Sequence, residues 1–80
     1  MPVVLTVGNL KFFFFSNEGN PREPVHIHVR SGSNEAKFWL KPAVSLAYNR
    51  GFDSRTLGKI QPLIEQNQTF FEEAWHDHFA

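Results

Sequence analysis

Val25-His26-Ile27-His28-Val29-Arg30, then Ser31-Gly32-Ser33-Asn34, then Glu35-Ala36-Lys37-Phe38-Trp39-Leu40 is the stretch that decides the fold. Apolar and polar residues alternate with a period of two on both sides of a cluster of turn formers, the signature of a β-hairpin with one buried face. A four-residue turn at Ser31–Asn34 sets Arg30 opposite Glu35, His28 opposite Lys37 and His26 opposite Trp39. Val25, Ile27, Val29, Ala36, Phe38 and Leu40 then share the other face, which is wholly apolar and suited to a core. One face is expected to pack and the other to display chemistry.

Working outward, Val3 to Val7 is an apolar, β-branched run closed by Gly8-Asn9, and Leu10 to Phe15 follows directly, which predicts a second hairpin. Ser16 to Pro24 collects turn formers, two prolines and mixed charge, and reads as an exposed loop between the hairpins. Past Pro42, Ala43 to Tyr48 is a short fifth strand before a turn at Asn49-Arg50-Gly51. Asp53 offers an N-cap to a helix with Leu57, Ile60 and Ile64 at core spacing. Pro62 lies inside that helix and is expected to bend or weaken it, because it cannot donate to the carbonyl of Gly58. A second helix is expected to start near Asn67 to Thr69, where Thr69-Phe70-Phe71-Glu72 has capping-box spacing, with Phe71, Trp75 and Phe79 turned inward. The fold class expected is α+β: an antiparallel sheet of four or five strands, built from two hairpins, with two C-terminal helices on one face.

Composition limits the alternatives. Eighty residues support one domain, spanning 1–80, since so short a chain hides too little surface for a second core. With 41% hydrophobic and 20% charged residues the chain is expected to fold. The absence of cysteine removes disulfides, thiolate metal sites and cysteine nucleophiles. The longest apolar run, Phe12 to Phe15, is far too short to span a bilayer, and the start has no signal-type pattern, so a cytoplasmic location without membrane attachment is expected. The formal net charge of zero conceals a division: all eight bases lie at or before Lys59 against four acids, whereas Ile60 onward has four acids and no base. Two oppositely charged parts either attract one another or face different partners.

The residues HIHVR, EAKFWL, NRGF and the terminal FFEEAWHDHF together resemble the small bacterial proteins classed as domain of unknown function 4160, over nearly the whole chain. In that family an aromatic-rich N-terminal strand leads through a Pro-containing loop to an H-x-H strand, a short turn, an Ala-containing strand and a helical end bearing a Trp. The matching positions here are His26 and His28, Ala36 and Trp75, while Pro62 departs from the helix former expected at its place. The resemblance implies a small α+β fold and no particular activity. It also implies a companion of the type classed as domain of unknown function 2442, encoded beside it, in a toxin–antitoxin arrangement.

Three chemistries compete for the displayed face of His26, His28, Arg30, Glu35, Lys37 and Trp39. Two His at i and i+2 on a strand point the same way and are half of a metal site, which Glu23 or Glu35 would have to complete. Lys37 opposite His28 opposes a cation there, and His76 and His78 lie on different sides of a helix, so no metal site is assigned. In an RNA-binding or metal-independent ribonuclease reading, His26, His28 and Glu35 are the acid–base candidates, Arg30 and Lys37 hold phosphate, and Trp39 stacks a base. The excess of about four positive charges on the sheet part makes that attraction weak and salt-sensitive. The third reading is a protein-interaction surface, with another small protein or a second copy as partner. Phe12, Phe13, Phe14 and Phe15 alternate across the second strand, so two of them point away from the helices and need cover, either from the chain itself or from a partner. This non-enzymatic, cofactor-free reading is the one expected. Gly8 and Gly51 read as turn residues, Trp75 as core, and His76 and His78 as solvated.

Overall fold

The computed structural model describes residues 3–15 and 23–79. Five strands, β1 (Val3–Val7), β2 (Leu10–Phe13), β3 (His26–Ser31), β4 (Asn34–Trp39) and β5 (Ser45–Arg50), are followed by helices α1 (Ser54–Gln66) and α2 (Gln68–Phe79). The strands form one antiparallel sheet in chain order, a meander with β1 and β5 at its edges. The fold is therefore α+β with the expected arrangement, and its sheet has five strands. The loop expected over Ser16 to Pro24 falls, up to Arg22, outside the described residues.

The central hairpin has the register its alternation predicts: His26 faces Trp39, His28 faces Lys37 and Arg30 faces Glu35. Its turn is tighter than expected, because Ser31 pairs with Asn34 and leaves only Gly32 and Ser33 to reverse the chain. Gly32 takes a φ of 60°, and among the described residues none with a side chain has positive φ. That is the type II′ pattern, whose twist matches the strands it joins. Gly51, at a φ of 102°, turns the chain from β5 toward α1, and a β-carbon there would collide with the Asn34 side chain. Asn49 fastens this corner, donating through Nδ2 to the Phe52 carbonyl at 2.9 Å and accepting from the Phe52 amide at 3.1 Å.

Strand boundaries differ from expectation most in the second and fifth strands. The second strand ends at Phe13 instead of Phe15, and the fifth spans Ser45–Arg50 instead of Ala43 to Tyr48. Asp53 caps α1 as expected, accepting from the Thr56 amide at 2.7 Å. Thr69, however, lies inside α2. The chain passes between the helices at Asn67, whose amide reaches the Leu63 and Ile64 carbonyls while its own carbonyl accepts from the Phe71 amide at 2.9 Å. One residue thus closes the first helix and opens the second, and the capping-box spacing at Thr69 is left unused. Pro62 does not end α1. Both Pro62 and Gly58 are exposed, so water can serve the Gly58 carbonyl that lost its amide partner, and Gly58 has no side chain to crowd the ring.

The core lies between the sheet and the helices. Phe12, Phe14, Ile27, Val29, Ala36, Phe38 and Leu40 meet Ile60 and Ile64 of α1 and Phe71 and Trp75 of α2 in one cluster. Lys41, just beyond β4, pairs with Glu72 of α2 at 3.3 Å, which joins the basic sheet part to the acidic helical end. Gln68 also binds across, donating to the Leu40 carbonyl at 2.7 Å. Among the described residues no helix is long and apolar enough to cross a membrane. Phe71→Ala is expected to cost about 3 to 5 kcal/mol in urea unfolding, as for other buried aromatic truncations. Its neighbour Phe70 is 47% exposed, and Phe70→Ala is expected to change stability by no more than about 0.5 kcal/mol.

Candidate functional site

Strand pairing arranges the outer face of the sheet, opposite the helices, in rows that cross the strands. One unbroken row takes a residue from every strand: Thr6, Lys11, Arg30, Glu35 and Arg50. The next takes Val3, Phe13, His28, Lys37 and Tyr48. A third, shorter row holds His26, Trp39 and Ser45. Residues directly opposite on paired strands share a face, so each row is a set of neighbouring side chains. All the candidates from the central hairpin are brought together here: His26, His28, Arg30, Glu35, Lys37 and Trp39.

The two histidines are not displayed, which corrects the expectation of an open histidine face. His26 is 0% exposed and His28 2%. His28 stacks on Phe13 with ring centroids 5.4 Å apart and meets Phe15 edge-on at 4.6 Å. His26 lies edge-on to His28 at 5.2 Å, against Trp39 at 5.6 Å and against Trp75 of α2 at 4.7 Å. Among the described residues the pairing of β2 with β3 stops at Phe13 and His28, and beyond it Trp75 of α2 meets His26. His26 Nδ1 lies 2.9 Å from the Pro24 carbonyl, and since a carbonyl only accepts, that nitrogen carries the proton.

The phenylalanines are corrected in the same way. Phe12 and Phe14 enter the core, as alternation requires, but the pair on the other face is not left bare. Phe13 is fully buried, packed on His28 and on Phe15 and capped by the Arg30 guanidinium 5.0 Å above its ring. Phe15 is half-buried.

The charged members of the face are tied to one another. Glu35 accepts from Arg30 at 3.0 Å through Oε1 and from the Tyr48 hydroxyl at 2.7 Å through Oε2. With its proton committed to Glu35, the Tyr48 hydroxyl faces His28 Nδ1 as an acceptor at a long 3.4 Å. Burial by itself would push the Glu35 carboxyl up, but the hydrogen bonds from Tyr48 and Arg30 and the charges of His28 and Arg30 outweigh it and hold the group below its ordinary value. Lys37 donates to Glu23 at 3.0 Å and lies 4.4 Å over the Trp39 ring. Tyr48 is the member that sequence reasoning missed. Its position opposite Lys37 depends on a register shift between Lys37 and Phe38, which no residue pattern announces.

Lys11 and Arg50 differ from the rest. Both are exposed at opposite parts of the first row, and among the described residues neither has an ion-pair partner; Arg50 lies over the Tyr48 ring at 5.3 Å. Among the described residues no group of three or more His, Cys, Asp or Glu is placed to hold a metal ion. The face therefore presents fixed positive charge at its outer row, and its imidazoles are shut in behind.

A family model described as Domain of unknown function (DUF4160) matches residues 9–76 of the chain. No curated protein and no solved structure matches it.

Tyr48→Phe removes the hydroxyl that Glu35 accepts and is expected to lower the unfolding free energy by about 1.5 kcal/mol, as for hydrogen bonds to charged groups. Because the folded Glu35 carboxyl ionises more readily than the unfolded one, its contribution is complete above the ordinary value of 4.5 and is lost as pH falls through the lower folded value. Urea midpoints of the wild type and Glu35→Gln should accordingly differ most near neutral pH and converge in acid.

Proposed function

The chain belongs to the DUF4160 family, whose description names no activity, and from its own geometry we propose that it is a protein-interaction module that docks a partner on the outer face of its sheet. One observation carries this reading: on the face opposite the core, the row of Thr6, Lys11, Arg30, Glu35 and Arg50 leaves two cations exposed and unmatched among the described residues. Unmatched, exposed charge steers and selects partners at little cost to the fold.

Acid–base chemistry is a poorer account of the same face. A general acid or base must come within hydrogen-bond reach of the substrate, and both imidazoles are buried among aromatic rings. Lys37, one of the phosphate-binding candidates, already holds Glu23. In this reading His26 and His28 are packing residues with a polar edge, and Glu35 fixes the shape of the face. The lack of cysteine in the sequence suits a reducing, cytoplasmic setting.

The test is affinity capture with the wild type and with Lys11→Glu/Arg50→Glu as baits. The wild type is expected to retain a protein in near-stoichiometric amount and the charge-reversed variant to lose it, with the melting temperatures of the two baits the same. Equal retention by both baits, or retention of RNA without protein, would contradict the proposal.

A further inference from the structure

Lys11, Arg30 and Arg50 stand on β2, β3 and β5 within one row, with Glu35 between the last two. Three guanidinium or ammonium groups against one carboxylate leave the row with an excess of two positive charges. Glu35 has both oxygens engaged, by Arg30 and by Tyr48, so it is not available to neutralise Arg50 or Lys11 by direct contact. Neighbouring strands lie about 4.8 Å apart, which places Lys11 about 14 Å from Arg50 at the level of the backbone. In an extended peptide the side chains at i, i+2 and i+4 point the same way and span about 13 to 14 Å. Three acidic side chains at alternate positions of an extended segment laid along the row match the three cations within the reach of long side chains.

The aromatic residues decide between a peptide and a nucleic acid. Single strands are held by basic grooves together with ring faces on which bases stack. On this sheet those ring faces are occupied: Arg30 lies over Phe13, Lys37 over Trp39 and Arg50 over Tyr48, at 5.0, 4.4 and 5.3 Å from the ring centroids. A base would have to displace a cation from each ring, and the cations are the groups that would hold its phosphates. Three phosphate contacts also give little affinity at physiological salt. Carboxylates need no ring face, and Arg30 and Arg50 offer planar donors to them.

We infer that the row Lys11, Arg30 and Arg50 recognises an extended acidic segment of a partner protein, with carboxylates at alternate positions. The inference rests on the protein-interaction reading and specifies the chemistry of the partner. At the β1 end Thr6 continues the line with a neutral hydroxyl, so the acidic positions lie over β2 to β5.

Fluorescence anisotropy tests it with three labelled probes: a ten-residue peptide alternating Glu and Thr, the same peptide with Gln for Glu, and a single-stranded oligoribonucleotide of ten residues. The Glu peptide is expected to bind most tightly, to weaken with added salt, and to lose about tenfold in affinity to Lys11→Gln/Arg50→Gln, the scale of two exposed ion pairs. His76→Gln, on the helix away from the row, is expected to change nothing. Equal binding of the Glu and Gln peptides overturns the acidic-segment inference, and if the charge-reversed bait still fails to retain the captured protein, the interaction reading survives it. Preference for the oligoribonucleotide, lost in the same variant, overturns both. Self-association that Lys11→Gln/Arg50→Gln abolishes, with no Glu-peptide binding, assigns the row to a second copy and overturns the separate acidic partner.

Discussion

The register between β3 and β4 is the constraint on which the rest of the molecule depends. A strand's side chains alternate faces with a period of two, so a slip of β3 by one residue would carry Ile27 and Val29 outward and drive His26, His28 and Arg30 into the cluster formed with α1 and α2. The tight turn at Gly32-Ser33 and the apolar set on the inner face both specify the same pairing. Once it is fixed, β2 and β5 join on either side, and the rows of the outer face follow from geometry.

Glu35 links those rows. Its carboxylate joins β4 to β3 through Arg30 and to β5 through Tyr48, and the second of these places the hydroxyl beside His28 in the next row. The charge sits in a partly buried position, where an unpaired carboxylate would be costly and a doubly bonded one is held in its ionised form. The same arrangement explains why the outer row keeps an excess of positive charge on Lys11 and Arg50: its single acid is engaged by Arg30 and Tyr48.

Much of this was legible in the residues themselves. Alternation in the central hairpin set its pairing residue by residue, Asp53 announced its cap, and the spacing of Phe71 and Trp75 identified the inner side of α2. Alternation states which face a side chain takes and is silent on whether that face is covered. The burial of His26 and His28 needs Phe13 and Phe15 from before the loop and Trp75 from the last helix, contacts between positions far apart in the chain. The first row was hidden for a related reason. Lys11 and Arg50 belong to strands whose registers are set by pairing with neighbours, and β5 carries a shift that brings Tyr48 and Arg50 into line. Turn chemistry misled once, at Thr69, because Asn67 already satisfies both helix ends.

The H-x-H strand, whose pattern invites catalytic or metal-binding readings, places both imidazoles in a closed aromatic layer beside a charged row. Carbethoxylation by diethyl pyrocarbonate, mapped by mass spectrometry on the native protein, tests this most directly, because the chain has two exposed histidines as internal standards. The account predicts rapid modification of His76 and His78, with His26 and His28 modified only once the protein unfolds. Modification of His26 or His28 in the folded protein at the rate of His76 would contradict it.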